Sequence, residues 1–301
     1  MQNVPVIQTT GLSYSFSNKT EAISDINMVV EKGAVYGFLG PNGSGKTTTL
    51  SLLLGLYKQQ KGNIEIFGEK LQSARSQILK KTGSLIETPS LYGHLTAKEN
   101  LEVYRQIYGA PKSRITELLQ QVDLSGTGKK SAKKFSLGMK QRLSIALALL
   151  PDPELLILDE PANGLDPEGI IELRQLIKKL NAEKGITIVI SSHILSEIEK
   201  MVTHVGIINK GRMVFQGALE DLHVHNESLL QLHTSDNEKA IHFLKQYNPE
   251  TEGDLITVYY DDIVQAASIN RMLMNNGIDV YLLQPKKNNL EQNFIDLIEK
   301  Q

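Results

Sequence analysis

Gly40-Pro41-Asn42-Gly43-Ser44-Gly45-Lys46-Thr47 follows the apolar run Ala34-Val35-Tyr36-Gly37-Phe38-Leu39 and precedes a leucine-rich stretch of helical character. A strand, a glycine loop and a helix in that order can cradle phosphate. Glycines let the backbone turn tightly, so successive N–H groups point inward at phosphate oxygens. The helix that starts near Lys46 presents its positive end to the same anion. Lys46 can pair with the β- and γ-phosphates of a nucleotide, and the Thr47 hydroxyl can hold Mg2+. Taken alone, the segment reads equally well as a glycine turn before a helix, and other residues must decide.

Leu155-Leu156-Ile157-Leu158-Asp159-Glu160 is an apolar strand that ends in two carboxylates. Asp159 at the strand tip can hold Mg2+ through water, and Glu160 reaches past it to orient an attacking water as general base. Without a phosphate loop upstream, the same pair is a solvated strand end. His193 follows the buried run Thr187–Ser192, where it can donate to a γ-phosphate and couple to the base; a lone histidine there is otherwise structural. Phe135-Ser136-Leu137-Gly138-Met139-Lys140-Gln141-Arg142 opens a helix after a basic loop. Ser136 and the free N–H groups at that start make either a second anion site or an ordinary cap.

The elements that must position these residues alternate buried strands with helices. Val4–Tyr14 and a run ending in Asn27-Met28-Val29-Val30 read as strands, and Gly62–Gly68 as a short strand between glycine turns. Thr96-Ala97-Lys98-Glu99 is a capping box, opening a helix that Gly109 and Pro111 close. Further helices fit Ser113–Gln121, Gly138–Leu150 and Glu168–Asn181. Glu154–Leu158 and Thr187–Ser191 fit buried parallel strands, and Val205–Asn209 with Met213–Gln216 a closing hairpin about Lys210-Gly211. The expected fold is an open α/β sheet with an antiparallel N-terminal portion and a helical insertion over about 88–150. After 220 the texture changes to strand 229–232, helix 237–247, strand 255–260, helix 263–275, strand 279–283 and helix 290–299. That series predicts a small α+β, ferredoxin-like appendage over 221–301, beside a first domain over 1–220.

The chain has 301 residues, long enough for two domains, with 32 basic residues against 34 acidic. The near balance gives no reason to expect a nucleic-acid partner. The absence of cysteine excludes disulfides, thiolate chemistry and cysteine zinc sites. No stretch approaches the roughly 20 apolar residues that span a bilayer, and Met1–Thr10 lacks the features of a secretion leader.

As a whole, the pattern resembles the nucleotide-binding subunit of ABC transporters over about residues 4–220. GPNGSGKT is similar to the Walker A motif, LLILDE to the Walker B, and Asn163-Gly164-Leu165-Asp166 to the D-loop. Ser191-Ser192-His193 is similar to the H-switch, and FSLGMKQR stands where the family signature LSGGQ belongs. The resemblance implies a P-loop NTPase fold and two ATP molecules clamped in a head-to-tail homodimer. Gly40, Pro41, Asn42, Gly43, Ser44, Gly45, Lys46, Thr47 and Thr48 would bind one nucleotide. Ser136, Leu137, Gly138 and Met139 of the other copy would close over it, with Asp166 at the seam. Glu160 and His193 would be catalytic, and Thr47, Asp159 and Glu87 would serve Mg2+. An aromatic near the N-terminus would stack on adenine; the spacing to Ala22 favours Phe16, with Tyr14 the competitor.

Two positions depart from the family pattern. Glu87 stands where glutamine is usual; it can ligand Mg2+ but adds negative charge near the γ-phosphate and donates no hydrogen bond while ionised. In the signature, Leu137 replaces a glycine and Met139 a glutamine, which points to a working but slower ATPase. The Glu87 loop together with SLGMKQR resembles the subfamily of bacterial exporters for bacitracin and lantibiotic peptides. The implied role is a motor at the cytoplasmic face of the bacterial membrane. It would drive a separate integral-membrane permease for export of, or immunity to, an antimicrobial peptide or drug. Thr88–Tyr108, with Tyr92, His94, Tyr104 and Tyr108, is either a groove for a permease helix or ordinary packing. A non-transport ABC ATPase acting on ribosome or DNA is the competing class. His223-Val224-His225 reads as a solvated linker in preference to a metal pair.

Overall fold

The computed structural model describes residues 4–17, 20–87, 91–224 and 229–286. They divide into two compact units between Leu219 and Glu220, each considered by itself.

The first unit opens with β1 (Ile7–Ser17), β2 (Thr20–Ile26) and β3 (Val29–Val30), followed by β4 (Val35–Leu39) and α1 (Lys46–Leu53). β5 (Lys61–Ile66), β6 (Glu69–Lys70), α2 (Leu71–Lys80) and β7 (Thr82–Leu85) come next. The insertion carries α3 (Ala97–Tyr108), α4 (Ser113–Gln121) and α5 (Leu137–Ala148). β8 (Leu155–Leu158), α6 (Pro167–Lys184), β9 (Thr187–Ser192), α7 (Leu195–Ile198), β10 (His204–Asn209) and β11 (Arg212–Ala218) complete it.

Two sheets result. One is antiparallel, ordered β2-β1-β5-β6 with β3 also on β1. The other is ordered β11-β10-β4-β9-β8-β7, parallel except for the edge strand β11. β4, β8 and β9 are buried at every residue, which is why they read as continuous apolar runs instead of alternating ones. Leu50, Leu52 and Leu53 of α1 join a core shared with Ile7, Ile23 and Ile64 of the antiparallel sheet and Phe38, Ile157 and Val189 of the parallel one. Placing α1 in that core fixes the loop that precedes it.

Local signals set the boundaries. Thr96 Oγ1 accepts from the Glu99 amide and the Glu99 carboxylate accepts from the Thr96 amide, which starts α3; Gly109, at φ 67°, ends it. Asp166 caps α6 through the Gly169 amide, Pro167 takes the first helical position, and Gly185, at φ 65°, closes it. The first strand starts at Ile7, not Val4, and runs to Ser17. α2 carried no sequence expectation. Leu71, Ala74, Ile78 and Leu79 fall at helical spacing and pack into the core, but polar residues fill the other positions and Ala74 interrupts the helical dihedrals, so the apolar stripe is thin.

The second unit begins within α8 (Leu219–Val224) and continues as β12 (Leu229–Thr234), α9 (Asn237–Leu244), β13 (Glu250–Glu252), β14 (Leu255–Tyr259), α10 (Ile263–Asn275) and β15 (Val280–Lys286). Its sheet is ordered β13-β14-β12-β15, with every pair antiparallel. A βαββαβ chain in that order is the ferredoxin-like arrangement. Leu230, Leu232, Ile256 and Val258 pack against Ala240, Leu244, Ile269 and Leu273 of the two helices. The sequence reading omitted β13, whose three residues Glu-Thr-Glu are all exposed and carry no apolar alternation. The expected helix 290–299 and His225 lie outside the described residues, as does the side chain of His223.

Candidate functional site

Gly40, Asp159 and His193 each come directly after the carboxyl end of a parallel strand: β4, β8 and β9. β9 lies between the other two in the sheet, so three segments distant in sequence converge on one edge, where open α/β sheets carry their sites.

The loop is held in shape before it can hold anything else. A Cβ on Gly40 would collide with the Ile208 carbonyl oxygen, and one on Gly45 would meet Ile23 Cγ2 at 2.6 Å. Gly45 stands at φ 109°, a conformation open to glycine. Gly211, at the β10–β11 turn, donates its N–H to the Ser44 carbonyl at 3.0 Å and accepts from the Ser24 amide at 2.7 Å. The hairpin turn thus pins the loop to the strand beside it. Ser44 Oγ is buried with no hydrogen-bond partner among the described residues.

Lys46 is buried at the root of the loop, and its Nζ donates to the Gly40 carbonyl at 2.7 Å and the Pro41 carbonyl at 3.2 Å. The same ammonium lies 3.2 Å from Glu160 Oε1, while Glu160 Oε2 is 2.8 Å from His193 Nδ1. One carboxylate is therefore fixed from both sides. Glu160 itself sits at φ 47°, a sparsely populated conformation for a non-glycine residue.

Thr47 Oγ1 donates to Asp159 Oδ2 at 2.7 Å, and Asp159 is buried. A hydroxyl and a carboxylate oxygen side by side fit a hard cation such as Mg2+, which takes few protein oxygens and fills its octahedron with water and phosphate. Ser191 Oγ donates to Asp159 Oδ1 at 2.5 Å and accepts from the Glu160 amide at 2.8 Å, locking both acids to β9. Ser191 was named in the sequence only as part of a motif, without this role. Its signal is a hydroxyl near the carboxyl end of a wholly buried strand, directly after Ile188-Val189-Ile190.

Above the loop is a cleft of about 710 Å3 whose wall includes Gly43, Gly45, Lys46, Thr47, Thr48 and Asn42. Glu160, Asn163 and His193 also line it, as do Phe16, Glu21, Ala22, Lys210 and Gly211. Phe16 is 60% exposed at this rim; Tyr14 stacks on Tyr57 with centroids 5.4 Å apart and packs against the core. The hairpin turn at Lys210 was missed as a lining element.

The remaining sequence candidates lie elsewhere. Glu87 is exposed just past β7, at φ 58°. Ser136 caps α5, its Oγ accepting from the Met139 amide at 3.2 Å. Leu137 is half exposed, and its Cδ2 packs over Gly164. Among the described residues none of Glu87, Ser136, Leu137, Gly138, Met139 and Asp166 lines the Lys46 cleft.

Residues 23–163 match the family model described as ABC transporter. Over 298 residues, 97% of each chain, the protein is 45% identical to bacitracin transport ATP-binding protein BcrA of Bacillus licheniformis. It is 44% identical to lantibiotic transport ATP-binding protein SrtF of Streptococcus pyogenes, over 70% of this chain and 90% of that one. A dimeric ATP-binding cassette in a post-hydrolysis state, bound to ADP and Pi, superposes with a TM-score of 0.62 at 25% identity, over 71% of this chain and 98% of the other. The phosphate loop, the strand-end acids and these similarities agree: the chain belongs to the ABC transporter family, as an ATP-binding subunit that hydrolyses ATP.

Proposed function

We propose that the chain is the motor of a bacterial exporter, a peripheral subunit on the cytoplasmic face of the membrane that drives a separate permease. The observation that carries the catalytic part is the Glu160 carboxylate held between Lys46 and His193 at the cleft. The amides of Gly43 to Thr48 and the Lys46 ammonium grip the nucleotide phosphates, and Phe16 stacks on the base. Thr47 and Asp159 would hold Mg2+, which would offset phosphate charge; Glu87, just past β7 and outside the cleft of this structure, would approach the same cation from that side. Glu160 orients and deprotonates the attacking water, while His193 keeps that carboxylate aimed and contacts the γ-phosphate.

Ser136, Leu137, Gly138, Met139 and Asp166 lie outside the cleft of their own chain. They act on the nucleotide of a second copy in a head-to-tail homodimer, a reading supported by the dimeric cassette of similar fold. Among the described residues no helix is long and apolar enough to cross a membrane, so translocation falls to the permease. The similarity to the bacitracin and lantibiotic transport proteins favours an antimicrobial peptide or drug as cargo.

The test is affinity capture of tagged Glu160→Gln protein, with ATP, from detergent-solubilised membranes of its host. Stoichiometric recovery of a polytopic membrane protein is the expected result. Recovery of ribosomal or nucleic-acid proteins with no membrane partner would replace this reading with a non-transport ATPase.

A further inference from the structure

Among the described residues the buried Asp159 carboxylate is held by hydroxyls and by no cation. A buried charge in that state is costly, and the arrangement suits a cation that arrives with the nucleotide. The two hydroxyls come from different parts of the fold. Thr47, at the end of the phosphate loop, donates to Oδ2 at 2.7 Å, and Ser191, in β9, donates to Oδ1 at 2.5 Å. β9 lies between β4 and β8 in the parallel sheet and buries Ser191 completely. With Oδ1 fixed to the sheet, Oδ2 is the oxygen left beside Thr47, where the cation fits.

The same hydroxyl turns its other side to the base. Ser191 Oγ accepts from the Glu160 amide at 2.8 Å. Glu160 stands at φ 47°, a conformation that persists only where the surroundings hold it. From that backbone its carboxylate reaches Lys46 and His193.

We propose that Ser191 is a positioning residue that couples the cation ligand to the catalytic base, which rests on reading Asp159 as that ligand and Glu160 as that base. One hydroxyl sets which oxygen Asp159 presents beside Thr47 and fixes the backbone from which Glu160 reaches its water. Removing it leaves a buried carboxylate short of a donor and a strained amide short of an acceptor. Cation binding and hydrolysis therefore weaken together. A serine that merely filled space would lower stability and move neither.

The probe is a non-hydrolysable ATP analogue, titrated calorimetrically into the full chain in EDTA and again in excess Mg2+. The ratio of the two affinities is the gain due to the cation. Ser191→Ala should reduce that gain about tenfold, as loss of a hydrogen-bond partner behind a metal ligand does. Its affinity in EDTA should match wild type, because the phosphate loop is untouched. Its kcat should stay about tenfold low at saturating Mg2+, since more cation does not restore the Glu160 anchor. Ser144→Ala removes another buried hydroxyl, one that donates to the Lys140 carbonyl within α5, and should change neither quantity. Asp159→Asn should lose most of the gain; a full gain there would overturn the ligand assignment itself. Loss of the gain in Asp159→Asn but not in Ser191→Ala would overturn the proposal alone. So would a wild-type kcat in Ser191→Ala at saturating Mg2+.

Discussion

His193 Nδ1 lies 2.8 Å from Glu160 Oε2, so the ring that follows β9 holds the carboxylate that follows β8. Removing the acid and removing its holder should differ in degree. Glu160→Gln keeps the shape but loses the basic oxygen, and should lower hydrolysis by about 10²–10⁴-fold with ATP affinity nearly unchanged. His193→Ala should also lower kcat because the carboxylate is no longer oriented, but by less than Glu160→Gln, since the basic oxygen remains. Steady-state rates with parallel nucleotide-binding titrations check both.

The brace at Gly211 makes a second prediction. A Cβ there would lie 2.8 Å from the Ala22 carbonyl oxygen, at φ 78°, in a turn whose amide holds Ser44. Gly211→Ala should cost roughly 1–3 kcal/mol of stability and weaken ATP binding by displacing the loop. Gly109→Ala has a similar φ and open space around it. It should lower stability by about 1 kcal/mol and leave ATP affinity alone. Equal ATP affinity in the two variants would remove the brace from the account.

In the cleft wall, Phe16→Ala should raise the KM for ATP by about tenfold, since one aromatic stack on a base is worth about 1–3 kcal/mol. Tyr14→Ala should instead lower the melting temperature, because Tyr14 packs on Tyr57 and the core. A Tyr14 variant that alone loses ATP affinity would exchange the two assignments.

How much of this was legible follows from how each feature is written in the chain. Lys46 and Thr47 were readable because a glycine loop between a buried strand and a helix has few other uses. Thr96 with Glu99 was readable because both halves of a capping box are local. The convergence of Asp159 with Ser191 was not, since it depends on β8 and β9 being neighbours, which residue types do not encode. β13 was hidden because three exposed polar residues carry no periodicity, and α2 because its apolar stripe is thin and broken at Ala74. Phe16 was preferred to Tyr14 on its spacing to Ala22, but its place in the cleft wall depends on where β1 runs, which that spacing does not encode.

The Lys184 ammonium, hydrogen-bonded to Glu117 and joined by Arg114, holds the Glu117 carboxyl below its ordinary value against partial desolvation. A depressed folded value means that the contribution is present above the unfolded pKa, about 4.3, and is lost as pH falls through the folded one. Because Glu117 is half exposed, the effect stays below about 1 kcal/mol. The melting temperatures of wild type and Glu117→Gln should therefore differ at pH 7 and converge near pH 3; a constant gap would exclude the linkage.

The central claim is that one chain supplies the cleft and a second copy supplies Ser136 and its neighbours. Sedimentation of Glu160→Gln with Mg2+ and ATP, against the same protein with ADP, tests it most directly. The account predicts a dimer with ATP and a monomer with ADP, and it predicts that Ser136→Glu abolishes the ATP-dependent dimer. A monomer under both nucleotides would contradict it, as would an ATP dimer indifferent to Ser136→Glu.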